Sequence, residues 1–109
     1  VLIAFTLTPV GVGESFRDEI ADAVKIIRES GLPHRSDSMY TMIEGEWEEV
    51  MDVVRRATEA VAARAPRVQL VLKADLWPGM PGMLDGKIST FEQHVAGRDA
   101  AAPAPDGTA

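Results

Sequence analysis

The chain has 109 residues, 46% of them hydrophobic and 26% charged, with a formal net charge of −6 and no cysteine. That length suits one domain with a small core, and the lack of cysteine excludes disulfides, thiolate metal sites and a cysteine nucleophile. The acidic balance disfavours nucleic acid and anionic membranes as partners, and the apolar opening VLIAFTL is far shorter than the ~20 residues of a membrane span, so the expectation is a soluble, cytoplasmic protein.

VLIAFTLT reads as a strand ending at Pro9. Alternation sends Val1, Ile3, Phe5 and Leu7 to one face and Leu2, Ala4, Thr6 and Thr8 to the other. The first face suits helices, the second a ligand or partner. ESFRDEIADAVKIIRESG follows with Phe16, Ile20, Val24 and Ile27 at helical spacing. Ser15 and Asp18 resemble a capping box, and Gly31 with Pro33 stops the helix.

HRSDSMYTMIEG has room for two short strands and a tight turn. Met39, Thr41 and Ile43 share one parity, Tyr40, Met42 and Glu44 the other. EWEEVMDVVRRATEAVAARA predicts a second helix, with Trp47, Val50, Val54, Ala57 and Val61 as its buried stripe. RVQLVLKADL predicts the last strand. Val68, Leu70, Leu72 and Ala74 should meet the helices; Gln69, Val71, Lys73 and Asp75 should line the opposite face. After the loop WPGMPGM, LDGKISTFEQHV can form a short third helix with Ile88, Phe91 and Val95 on one side. The domain is expected over 1–96, with 97–109 a disordered tail. The order β-α-β-β-α-β plus a terminal helix predicts an α+β, ferredoxin-like sandwich. One sheet face is left bare, and a second copy is its expected cover.

The stretch TPVGVGES, at 8–15, raises the question of phosphate binding. The third glycine of a dinucleotide fingerprint is replaced by Phe16, and no G-K-[ST] is present. Glu14 stands where it would repel an anion. The remaining readings are a plain strand-to-helix turn, in which glycine permits positive φ, or a close approach of a flat ligand to the backbone. His34 and His94 lack a second ligand at i+3 or i+4 and read as surface residues, with no metal expected. No G-x-S-x-G elbow is present. Lys73 and Asp75 share a strand face and suit either a cross-strand ion pair or a site. Glu44 before Gly45 suits either a polar strand end or a site. Trp77, in a Pro/Gly loop, suits an interface or stacking on a ligand.

Four segments in order, FTLTPVGVG at 5–13, SMYTMIEGEWEEV at 38–50, PRVQLVLKAD at 66–75 and MLDGKISTFEQHV at 83–95, resemble the thiamine-binding, MTH1187/YkoF-like family of small proteins. The resemblance covers roughly residues 1–95. It implies a ferredoxin-like domain assembled as a homodimer or homotetramer. It also implies non-enzymatic binding of thiamine or its hydroxymethylpyrimidine moiety, in vitamin uptake or salvage, with thiamine as ligand and no separate cofactor. The family's motifs fall on Thr6, Pro9 and Gly11 (with Phe5), on Thr41 and Glu44 (with Ile43 and Gly45), and on Lys73 and Asp75. These seven are the ligand-binding candidates. Many relatives carry Gly where this chain has Tyr40, which bears on pocket size. The hydroxyls and carboxylates suit an aminopyrimidine edge, and the acidic balance suits a thiazolium. The competing readings are a ligand-free oligomerising adaptor or regulatory module and an enzyme acting on a small heterocycle, for which no nucleophile, metal set or cofactor loop is visible.

Overall fold

The computed structural model describes residues 1–13 and 17–100. The elements are β1 (Leu2–Val10), α1 (Arg17–Glu29), β2 (His34–Ser36), β3 (Thr41–Glu44), α2 (Trp47–Ala62), β4 (Arg67–Asp75) and α3 (Met83–Ala100). The strands form one sheet in the order β2-β3-β1-β4, antiparallel at every pairing. This is the ferredoxin-like α+β arrangement expected from the element order. The expected cap at Ser15 and the stripe residue Phe16 lie outside the described residues.

Alternation in β1 decides the layering. Ile3 and Phe5 are buried beneath the helices with Ile27 of α1, Ile43 of β3 and Val50, Val53 and Val54 of α2. Each such side chain contributes about 1.5–3 kcal/mol when fully buried. Ala23 and Ala57, with Val61, make a second cluster. Small side chains there let α1 and α2 approach closely. Register places Ile3 between Ile43 and Ala74, and Phe5 between Thr41 and Leu72. Leu2, Ala4, Thr6, Met42, Glu44, Lys73 and Asp75 therefore belong to the opposite, open face.

Three expectations change. Trp47, placed on the buried stripe, is 46% exposed. Val1 and Gly45 exchange the last backbone bonds at this end of the sheet, the Val1 amine donating to the Gly45 carbonyl and the Gly45 N–H to that of Val1. Trp47 opens α2 just past them, where no strand residue lies beneath it; the stripe starts at Val50. Leu70 keeps its expected parity yet is 41% exposed, because β4 is an outer strand of the sheet. Finally, α3 runs on to Ala100, past the boundary expected at Gly97; residues 101–109 lie outside the described residues. Phe91 and Val95 of α3, expected on an apolar side, are exposed, while the side chain of Ile88 lies outside the described ones.

Candidate functional site

The seven candidate residues fall into three groups along β1. At its start, Leu2 is paired with Glu44 on one side and Asp75 on the other, and Ala4 with Lys73. In the middle, Phe5 pairs with Thr41, and Thr6 follows. At the far end, Pro9 pairs with Val68, and Gly11 lies just beyond the strand. A strand rises about 3.4 Å per residue, so Leu2 and Pro9 stand roughly 24 Å apart. One small molecule cannot touch all three groups.

In the first group Glu44 is committed to structure. Glu44 is the one charged side chain buried among the described residues. Its Oε2 accepts the Met83 N–H at 2.7 Å and its Oε1 the Leu84 N–H at 3.1 Å. Those are orphan donors of the first turn of α3, and a carboxylate there also meets the positive end of the helix dipole. Arg35, whose register partner Met42 sets it on the open face, pairs with Asp85 of the same turn. The start of α3 is thereby held on the open face, with Met83 and Leu84 buried beneath it. Beside it the loop between β4 and α3 encloses a cleft of about 530 Å³, where Trp77 faces Glu44, Gly45 and Glu46.

The third group builds a turn. Gly11 has φ +89°, and a Cβ there would lie 3.2 Å from Cγ of Pro66. Both the left-handed backbone and the close approach call for glycine, in line with the plain-turn reading of TPVGVGES. Glu14, invoked against an anion, lies outside the described residues.

The middle group makes a cavity. β3 pairs with β1 only as far as Phe5↔Thr41. The hairpin tip then leaves β1: the Asp37 N–H donates to the Tyr40 carbonyl at 2.8 Å, closing a two-residue loop of Ser38 and Met39. Neither loop residue has positive φ. Hairpin loops that follow the twist of the sheet need positive φ, so this one turns away. Between the freed edge of β1, helix α1 and the tip lies a cavity of about 210 Å³. Phe5, Ala23 and Ile27 give it apolar walls, Ser38, Tyr40 and Thr41 add hydroxyl-bearing residues, and Thr6 lines it at the strand edge, its side chain having open-face parity. The Thr41 Oγ1 lies 3.3 Å from the Ser36 Oγ, a hydrogen bond in which either hydroxyl can donate. Among the described residues Asp37 is the one carboxylate lining it, and no Lys, Arg or His does. Thr6 and Thr41 are thus brought together, Tyr40 joins them, and Pro9, Gly11, Glu44, Lys73 and Asp75 stand elsewhere. Asp37 and Ser38 were not singled out in the sequence; an Asp-Ser pair in a hairpin turn signals only the turn.

Among the described residues no group of three or more His, Cys, Asp or Glu is placed to hold a metal ion. No described helix is long and apolar enough to cross a membrane.

Comparison with known proteins agrees with this geometry at the level of the whole domain. Residues 3–92 match the sequence model of the family described as thiamine-binding protein. The chain is 50% identical over 96 residues to a UPF0045 protein of Mycobacterium bovis, covering 87% of this chain and 94% of that one. It is 33% identical over 93 residues to a UPF0045 protein of Synechocystis, covering 84% and 77%. In three dimensions it is similar to a DUF77 domain of Bacillus cereus, with TM-score 0.74, 24% identity, and coverage of 83% of this chain and 88% of that chain. It is also similar to a candidate thiamine biosynthesis or salvage protein of Thermotoga maritima, with TM-score 0.71, 24% identity, and coverage of 83% and 96%. At that identity the structures speak to the fold, and the fold they share is the four-stranded α+β sandwich described above. The match over residues 3–92, together with the 50% identity to the mycobacterial protein, shows that this chain belongs to the thiamine-binding protein family.

Proposed function

We propose that this chain binds thiamine or its hydroxymethylpyrimidine moiety reversibly, without turning it over, in the cavity at the freed edge of β1. The observation that carries the reading is the cavity's size and lining. A dry apolar cavity of about 150 Å³ accepts benzene, so one of about 210 Å³ accepts a single substituted six-membered ring. Its walls are apolar, and Thr41 and Ser38 offer hydroxyls that both donate and accept, as an aminopyrimidine edge requires. Membership of a family described as thiamine-binding supports the choice of ligand, and the Thermotoga neighbour supports a role in vitamin uptake or salvage. A cytoplasmic, homo-oligomeric protein completes the proposal. Leu70 and Val71 on an outer strand and Phe91 and Val95 on α3 are exposed apolar groups that a second copy would cover.

The adaptor reading needs the open face filled by a neighbour with no cavity left. The β1-edge cavity reaches to α1 on the helix side, so a copy seated on the open face would leave it in place. Calorimetric titration with thiamine and with hydroxymethylpyrimidine tests the proposal. Micromolar or tighter binding is expected. Ser38→Ala and Thr41→Val should each weaken it about 5- to 100-fold, the cost of leaving a ligand hydrogen bond unmade. No heat with either ligand, or unchanged affinity in both variants, refutes it. Recovery of unaltered thiamine after prolonged incubation is the expected sign that no turnover occurs.

A further inference from the structure

We propose that Asp37, at the tip of the β2–β3 hairpin, is the counter-ion that makes this chain prefer a cationic two-ring ligand over the neutral pyrimidine alone. The inference rests on the binding reading above and assigns its selectivity. A cavity of about 210 Å³ holds one ring; the second ring of a methylene-linked pair must lie outside it. What lies outside is set by the same hairpin tip. Asp37, Ser38, Met39 and Tyr40 line the helix-side cavity and also a second one, of about 530 Å³, on the open face with Ala4 and Met42. The tip is a partition between the two. A ring seated on the helix side with its substituent toward the hairpin tip projects that substituent onto residues 37–40.

The charge on that partition has one sign. Among the described residues Asp37 is the one carboxylate lining either cavity and neither is lined by Lys, Arg or His; Arg35, paired with Asp85, and Lys73 stand beside Met42 and Ala4 further along the open face. A thiazolium at the rim meets a carboxylate with no competing cation in the lining. Tyr40, 43% exposed, offers an aromatic face to the same charge. A neutral hydroxymethylpyrimidine fills the cavity without reaching for either. Asp37 is exposed, so its pull is screened by solvent and salt and worth a modest factor.

The test is equilibrium binding of thiamine and of hydroxymethylpyrimidine to the full chain and to Asp37→Asn, at low and high sodium chloride. Asparagine keeps the side-chain shape and the turn preference. The expected result is a 3- to 10-fold loss of thiamine affinity with the pyrimidine unchanged. High salt should weaken thiamine in the parent and not in the variant. Equal weakening of both ligands, or an unchanged thiamine-to-pyrimidine ratio with both still bound, overturns the role of Asp37 and leaves the binding reading standing. Failure of the parent chain to bind either ligand overturns both. Tyr40→Leu is the second variant: a thiamine-selective loss there supports the charged-rim placement, and a loss shared by both ligands counts against it.

Discussion

Glu44→Ala should loosen the start of α3 on the sheet while leaving the four-stranded core folded. Glu44 is 8% exposed, and both carboxylate oxygens accept backbone N–H groups, those of Met83 and Leu84. Hydrogen bonds to a charged acceptor contribute about 1.5–3 kcal/mol each, and removing an N-cap side chain costs about 0.5–2 kcal/mol. The two N–H groups would recover water once the helix start loosens. The net loss is then about 2–4 kcal/mol, confined to the α3 docking. What remains at that end is the burial of Met83 and Leu84, about 1.5–3 kcal/mol for each side chain, so the helix start loosens without detaching. Arg35–Asp85 joins exposed side chains, and such pairs are worth roughly 0–1 kcal/mol. Beyond Gly86, residues 91–98 of α3 are exposed. Hydrogen exchange reads this directly. The Met83, Leu84 and Gly86 amides should lose protection in the variant, whereas Ile3, Phe5 and Ile43 keep theirs. Glu44→Gln should fall between, since its amide nitrogen cannot accept and meets one of the two N–H groups. Unchanged protection across 83–86 in Glu44→Ala would refute the latch. The same variant should bind the pyrimidine as the parent does, because Glu44 stands about four residues along β1 from Thr6.

Gly11→Ala should destabilise the fold by about 1–3 kcal/mol in urea denaturation, from positive φ and the approach to Pro66, with ligand affinity unaltered once the protein is folded. Arg35→Ala should shift the urea midpoint by less than about 1 kcal/mol, as expected for an exposed pair. On α2, Arg55 and then Arg56 hold the Asp52 carboxyl below its ordinary value of 3.8, against desolvation that raises it. A depressed carboxylate contributes stability that is present above its unfolded pKa and lost as pH falls through its folded one. Asp52→Asn should therefore be slightly less stable than the parent at neutral pH and converge on it as pH falls through the depressed range of the folded carboxyl, measured by thermal melts from neutral to acid pH.

Period and parity were legible in the chain; register was not. Alternation alone separated Ile3 and Phe5 from Ala4 and Thr6, and Thr41 and Ile43 from Met42 and Glu44, and the sheet keeps those faces. It could not say that Glu44 stands opposite Leu2 while Gly11 lies nine residues further on, because pairing depends on where each hairpin closes. A motif spread over three strands thus looked like one site and is three stations along β1. Each station does different work, and the physical chemistry sorts them. Glycine with positive φ against proline makes a turn. A buried carboxylate on two orphan N–H groups makes a latch. At Thr41, beside Thr6, hydroxyl-bearing residues meet apolar walls around a volume of single-ring size. That cavity exists because β3 is four residues long and turns away from β1 after Thr41. Strand length and loop conformation are decided by the whole sheet, which is why Asp37 and Ser38 gave no sign in the sequence beyond a turn. A ligand site built from a missing stretch of pairing is written in what the backbone leaves undone, and it becomes visible only once the register is known.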